Sequence, residues 1–377
     1  MTIPLRGLEM RSTITADGVM DLRLVEAAVA DPAADEVLVR MEATPINPTD
    51  IGLMFGPSDL GSLESGTADG LPRLTARVPA GAMSFLRLRL GQSLRVGVEG
   101  AGTVVGAGER MRHLEGRRVA VLGDGCFAQF RTISGDACLE LPDDVSAAEG
   151  ASALVNPLTA LGIVETLRRN GGRAMVHTAA ASSLGKMLVR LAAEEGIVLV
   201  NVVRRPEQAE MLQAIGAQHV LDSSAPDFKD RLVETIASTG AMTCFDAVGG
   251  KLTGRILWAM EQAASRSATS YSRYGTAAMK RAYVYGTLDP APVEIGRGIG
   301  LTWSVSGWLL FDFLRDLDAV AQARLHDRVR DGVRTIFASE YGHPIGLADA
   351  LSPEVVADYA RRRTGPKVLI DPQLGLS

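Results

Sequence analysis

The chain has 377 residues, 46% of them hydrophobic and 22% charged, with a net charge of −5. That length exceeds one comfortable core and implies two domains, and the composition excludes a disordered chain. A mildly negative balance gives no bulk attraction to nucleic acid or to an anionic membrane, although a local basic patch is compatible with it.

The three cysteines, Cys126, Cys138 and Cys244, form no CxxC pair and are not read as a disulfide framework. No apolar run approaches the roughly 18 residues needed to span a bilayer. The opening MTIPLRGLEMRSTITADG lacks the apolar stretch of a secretory signal. The expectation is a cytoplasmic protein with no nucleic-acid and no membrane partner.

Residues 1–150 read as β-rich: EVLVRMEATPI, GVEGAGTVVGAG and RRVAVLG are short β-branched runs bounded by Gly, Pro and Asp. Residues 56–95 interrupt them. GPSDLGSLESGTADGLP reads as a loop and holds Asp59, Glu64 and Asp69; the later part carries Arg73, Arg77, Arg87, Arg89 and Arg95. A lid, a substrate-contacting arm and a solvated excursion are all open readings of this segment.

From residue 173 onward strand and helix patterns alternate: RAMVHTAA, LGKMLVRLAAEEG, IVLVNVV, PEQAEMLQAIGA, HVLD, DFKDRLVETIASTG and AMTCFDAVG. Such alternation implies a parallel sheet covered by helices. The stretch LLFDFLRDLDAVAQARLHDRVRDGVRTIF reads as helical, and the chain closes on a strand pattern, GPKVLIDP.

The turn in VHTAAASSLGKMLVRLA has the properties a dinucleotide pyrophosphate needs. Ala179, Ala180, Ala181, Ser182 and Ser183 are small, so backbone can approach a phosphate; Gly185 lets the following helix pack on its strand. Only the last glycine of a GxGxxG pattern is present, and plain α/β packing fits the same residues. Ser182, Ser183 and Leu184 are the candidate phosphate contacts. At the end of the next strand stand Arg204 and Arg205, with no acid. A guanidinium fork suits a 2′-phosphate, so NADPH is favoured over NADH. Two solvated arginines at a helix start would give the same pattern.

Taken together, PINPTD (45–50), NPLTA (156–160), VNVVRRPEQ, FDAVGG (245–250), VYG (284–286) and TGPKVLI (364–370) resemble, in order, motifs of the medium-chain dehydrogenase/reductase superfamily, in its zinc-free quinone oxidoreductase and 2-enoyl thioester reductase branch. The resemblance implies an α/β protein with a GroES-like β-rich catalytic domain over 1–155 with 335–377 and a Rossmann doubly wound parallel-sheet domain over 156–334. It implies NADPH and substrate held between these domains, and a homodimer. It puts Asn47, Thr159 and Lys367 near the cofactor, and Val248, Tyr285 and Gly286 in the turns beneath the nicotinamide.

Zinc-dependent relatives need a Cys/His/Cys or similar ligand set. In the matching stretch Gly97-Val98-Glu99-Gly100 the valine cannot bind a metal, and Pro48 or Thr49 stands where a cysteine would. The five histidines, His113, His177, His219, His326 and His343, share no metal-ligand spacing. Without a metal, an acceptor that is already electrophilic is the easier partner for a hydride, which points to a quinone or an α,β-unsaturated carbonyl.

Enoyl thioester reductases of this type use a tyrosine shortly after the PINPSD-type segment; here the position falls near Ser58. Tyr271, Tyr274, Tyr283 and Tyr285 cluster later in the chain, and Tyr274 is the candidate catalytic contact beside Asn47. Trp303 and Trp308 could stack on a flat ring or simply pack. Two alternatives stay open: 2-enoyl thioester reduction, with arginines of 73–89 meeting a CoA or carrier phosphate, and a catalytically silent NADPH-binding sensor or interaction protein.

Overall fold

Alternating burial accounts for the first strands. In the computed structural model, which describes residues 5–361 and 365–375, β1 (Arg6–Ile14) and β2 (Val19–Ala28) pair antiparallel and turn Met10, Ile14, Met20, Leu22 and Leu24 into one core. Along β3 (Glu36–Pro45) Val37, Val39 and Met41 point inward while Arg40 faces solvent, the period-2 pattern of a half-buried strand. Residues 1–4 of the opening segment and Thr364 of TGPKVLI lie outside the described residues.

The chain divides into two units, Met1–Val155 with His326–Ser377, and Asn156–Leu325. In the first, helix α1 (Pro48–Phe55) follows β3, with Pro48 at the first helical position, where its missing N–H costs nothing. The loop expected after it is instead largely a hairpin. Strands β4 (Glu64–Ala68) and β5 (Leu71–Arg77) are joined by Asp69 and Gly70, whose φ values of 53° and 79° are those of a tight hairpin turn. Its polarity misled because β4 is a solvent-facing edge strand, where polar residues guard against pairing with other chains. With β6 (Leu94–Arg95) the order is β4-β5-β2-β1-β6.

Three arginines of this segment are engaged internally: Arg73 on Asp21 at 2.9 Å, Arg95 on Glu9 at 3.1 Å, and Arg89 on the Ser12 carbonyl at 2.7 Å. A second sheet is built from β7 (Glu99–Ala107), β8 (Arg118–Leu122), β9 (Phe130–Ser134) and β10 (Cys138–Glu140), with β7 and β9 both pairing β3. The short helix α2 (Ala147–Gly150) starts with a capping box in which Ser146 and Glu149 satisfy each other's backbone N–H groups.

The second unit follows from the strand–helix alternation. After α3 (Val155–Arg169) come β11 (Ala174–Thr178), α4 (Ser183–Glu195), β12 (Val198–Val203), α5 (Pro206–Ala214), β13 (His219–Asp222), α6 (Phe228–Thr239), β14 (Thr243–Asp246), α7 (Gly250–Arg266), β15 (Lys280–Val284) and β16 (Trp303–Gly307). The six strands are parallel in the order β13-β12-β11-β14-β15-β16, the arrangement of a Rossmann sheet. Helix α4 buries Leu184, Met187, Leu188, Leu191 and Ala192, the i, i+3, i+4, i+7, i+8 face, and ends on Gly196 in the left-handed region.

The long helical stretch expected near the C-terminus breaks at residues 316–318 into α8 (Leu310–Arg315) and α9 (Ala319–Gly332). The chain returns to the first unit at His326, within α9, and continues through α10 (Pro353–Tyr359) to β17 (Leu369–Ile370), which pairs β3.

One expectation is corrected. The helical stretch Ala147–Arg169 is long and apolar enough to cross a membrane, but 78% of its most apolar 18 residues are buried within the fold. Its apolar length serves a protein core.

Candidate active site

In the first unit, a polar cluster is buried where α1, β7 and the closing strand meet. Asn47 caps α1 and is 2% exposed. Its backbone N–H donates to Asp50 Oδ2 at 2.7 Å, its Nδ2 donates to Glu99 Oε1 at 3.0 Å, and its Oδ1 accepts from Lys367 Nζ at 2.9 Å. Lys367 also donates to Ser152 Oγ at 3.1 Å. The other Glu99 oxygen accepts the N–H groups of Leu154 and Val155, at 3.3 and 2.8 Å, so a buried carboxylate satisfies the start of α3. Asp50 Oδ1 accepts from Val98 N–H at 2.9 Å.

Burial pushes Asp50 up to about 7, with Glu99 adding to the rise and hydrogen bonds to the Asn47 and Val98 N–H groups resisting it. Burial raises Glu99 and lowers Lys367, and each opposes the other's shift. Tyr341, which pairs across from Lys367, has its hydroxyl beside Ser152 and Ser339 without good hydrogen-bond geometry to either. Burial pushes it up to about 12.

In the second unit the candidates line the carboxyl ends of the parallel strands, where open α/β sheets bind ligands. Ser182 caps α4 by accepting the Gly185 N–H at 3.1 Å, and Ser183 and Leu184 begin the helix. A Cβ at Gly185 would overlap the Ala180 carbonyl, so only glycine allows this close turn. Ala179 has φ 51°, a bend L-residues rarely adopt. Arg204 and Arg205 are exposed at the end of β12, the strand beside β11, and Arg205 is the residue preceding α5.

Beyond β14, the turn carrying Val248 is shaped by fully buried Asp246. Its Oδ1 accepts from Thr178 Oγ1 at 2.6 Å and from the N–H groups of Val248 and Gly249 at 2.8 and 3.2 Å, and its Oδ2 accepts from Thr253 at 2.6 Å. Tyr285 follows β15, with its hydroxyl 2.7 Å from His177 Nε2. Burial pushes His177 down to about 3, so its imidazole is neutral, and pushes the Tyr285 phenol up. Gly286 lies against the Ala247 carbonyl; a Cβ there would come within 2.8 Å of it.

The structure thus joins Asn47 to Lys367, and sets Ser182, Ser183, Leu184, Arg204, Arg205, Val248, Tyr285 and Gly286 along one edge. Thr159 is buried in α3. Tyr274 is not brought to that edge: it precedes β15, its carbonyl accepts from Leu301 N–H just before β16, and its ring is 56% exposed beneath Arg273. Trp303 begins β16, while Trp308 donates its indole N–H to Thr166 at 3.1 Å as a packing residue. Residue-by-residue reading missed Asp50, Ser152, Asp246 and Tyr341, and treated Glu99 only as a neighbour of a missing ligand. The available signal was acids set among apolar residues, in PTDIG, VGVEGAG and CFDAVG, since a buried acid must be partnered.

Chemically, the first unit offers a fixed ammonium and amide, and the second an edge suited to phosphates. Residues 33–143 match the alcohol dehydrogenase GroES-like domain. The chain is 32% identical over 252 residues to a mitochondrial enoyl-[acyl-carrier-protein] reductase of Xenopus tropicalis; the match covers 63% of this chain and 62% of that protein. It is 26% identical to a Mesorhizobium loti protein assigned as an NADPH:quinone reductase, covering 99% of this chain and all of that one with a TM-score of 0.72. The quinone oxidoreductase of Escherichia coli, solved with NADPH, shares the fold at 20% identity and a TM-score of 0.66, over 97% of this chain and 100% of that one. The chain thus combines a match to a GroES-like domain with a six-stranded parallel Rossmann sheet, and is similar to quinone and enoyl reductases.

Proposed function

We propose that the chain is a metal-independent NADPH-dependent reductase whose acceptor is a quinone or an α,β-unsaturated carbonyl. The observation that carries this reading is the exposed pair Arg204 and Arg205 at the end of β12, one strand from the Ser182-capped helix. Two guanidinium groups suit the 2′-phosphate of NADPH, and no acid stands there to hold free ribose hydroxyls. The N–H groups at the start of α4 suit the pyrophosphate. Val248, Tyr285 and Gly286, with Asp246 fixing the first of these turns, would hold the nicotinamide half. The likeness to the M. loti protein supports the same cofactor.

Bound NADPH supplies the hydride. The chain's own residues orient, exclude water and stabilise charge. Among the described residues, two of the three Lys367 donors are engaged, by Asn47 and Ser152. The remaining one makes it the candidate donor to negative charge developing on an acceptor oxygen. Independence from a metal is supported by the donor chemistry: all four oxygens of Asp50 and Glu99 accept hydrogen bonds from the protein, and Lys367 provides the local cation.

Steady-state NADPH oxidation with a quinone panel and an enone panel tests the reading. Turnover of either that survives a chelator is expected, and no turnover of both would refute it. A second reading, 2-enoyl thioester reduction, is favoured by the Xenopus relative and predicts an enoyl-CoA preferred over a simple enone. Against it, Ser58 fills the tyrosine position and donates to the Phe55 carbonyl, while Arg73 and Arg89 are committed inside the fold. Self-association would use β16, an edge of its sheet carrying exposed Leu301, Trp303, Leu309 and Phe311 on and beside it. Sedimentation of the intact chain would read a dimer.

A further inference from the structure

Between Gly70 and Val98 the chain carries five arginines and no acidic residue, against a net charge of −5 for the whole. Within this stretch, residues 82–91 form a succession of tight turns. Phe85 N–H donates to the Ala82 carbonyl, Leu86 N–H to Met83, and Arg89 and Leu90 N–H to Leu86; Gly91 N–H is tied to Ile14 of β1, and the Arg89 guanidinium to the Ser12 carbonyl. Met83, Leu86 and Leu90 pack on the core of the first unit.

The same turns present Phe85 and Leu88 outward, 89% and 75% exposed, with exposed Arg87 between them. Exposed Arg77 ends β5, and Val78 beside it shares with Met83 the surroundings of Gly18. The acids nearby are Asp17 on that turn and exposed Asp59, whose N–H donates to the Arg77 carbonyl. This is therefore a bonded platform that holds a phenyl and an isobutyl group in water, flanked by positive charge.

We infer that this platform docks the protein on an anionic lipid surface. Two apolar side chains exposed on nearly all sides suit insertion between acyl chains. Arg87 and Arg77 suit lipid phosphates, whose negative surface potential attracts cations within a Debye length. One phenyl and one isobutyl group give weak, reversible attachment. A lipophilic quinone is concentrated in such a surface, so docking would bring the enzyme to its acceptor. The inference goes beyond the reductase reading and does not need it, because attachment is measured without turnover.

The test is co-sedimentation of the full chain with vesicles of phosphatidylglycerol and phosphatidylcholine, and with phosphatidylcholine alone. Binding is expected on the anionic vesicles only and should weaken as salt is raised. Phe85→Ser with Leu88→Ser should lower it about tenfold or more, and Arg87→Glu should lower it severalfold. Circular dichroism melting checks that the variants are folded. NADPH oxidation with a water-soluble quinone, free of vesicles, should be unchanged in the double serine variant, and its failure in the parent chain would count against the reductase reading alone. Absence of anionic-vesicle binding by the parent chain overturns the inference. So does binding untouched by the serine pair, or a serine pair that changes the sedimentation coefficient, which would show that a second copy covers the platform.

Discussion

In the first unit the candidate residues are bonded to one another and withdrawn from water; in the second they line a backbone edge and turn charge toward solvent. Asn47, Glu99 and Lys367 form a chain of hydrogen bonds at 2.9 and 3.0 Å inside the protein. Ser182, Ser183 and the two arginines instead present N–H groups and guanidinium forks at a sheet edge. On the proposed reading, the difference suits what each would meet. A phosphate arrives with its own charge and is held by unpaired donors. A neutral acceptor that becomes charged only during reaction needs donors already fixed in place. Buried polar networks are also the more fragile, because each lost partner leaves another group unsatisfied in low dielectric.

The largest expected effect breaks the buried network. Lys367→Met leaves the Glu99 carboxylate without its cation and should cost about 3–5 kcal/mol of stability by denaturant unfolding. Adding Glu99→Gln should recover part of that loss; no recovery would show that the two charges are not coupled.

A pH titration of stability sharpens the same side of the comparison. Burial holds Asp50 at about 7 against an ordinary 3.8, so folding favours its protonated form. That contribution is intact below the ordinary value and is lost as pH rises through about 7. Raised Glu99 acts in the same sense. The full loss should be on the order of 4 kcal/mol, and Asp50→Asn should flatten the slope of melting temperature between mildly acidic and neutral pH. An unchanged slope would place the titration elsewhere.

On the exposed side, Arg204→Ala with Arg205→Ala should weaken NADPH about 10- to 100-fold by calorimetry and leave NADH nearly unaffected, without lowering the melting temperature. Equal loss for both dinucleotides would refute the 2′-phosphate role. The smallest effect is Ser182→Ala, about 1 kcal/mol through the lost α4 cap.

Much of the second unit was legible because its signals are local. Helix α4 carries its apolar face, its cap and its closing glycine within 15 residues, and Arg204 and Arg205 needed only the end of a strand to be located. The hairpin over residues 64–77 was not legible, because an exposed edge strand has the composition of a loop. Its Asp69-Gly70 turn was the available clue. The local cluster of tyrosines points to Tyr274, but a parallel sheet has two ends, and the bounds of β15 put Tyr274 before it and Tyr285 after it.

By itself the sequence determined the alternation of elements, the tight turn at Gly185 and the basic pair after β12, since period, side-chain volume and charge act over a few residues. Tertiary structure alone decided that Lys367 reaches Asn47 from 320 residues away, that Glu99 answers the first N–H groups of α3, and that Arg73 and Arg89 are committed to the fold while Phe85 and Leu88 are not. The physical reason is common to these cases. The partner that sets a group's charge, exposure and hydrogen bonds is chosen by long-range packing, and packing is not written at any one position in the chain.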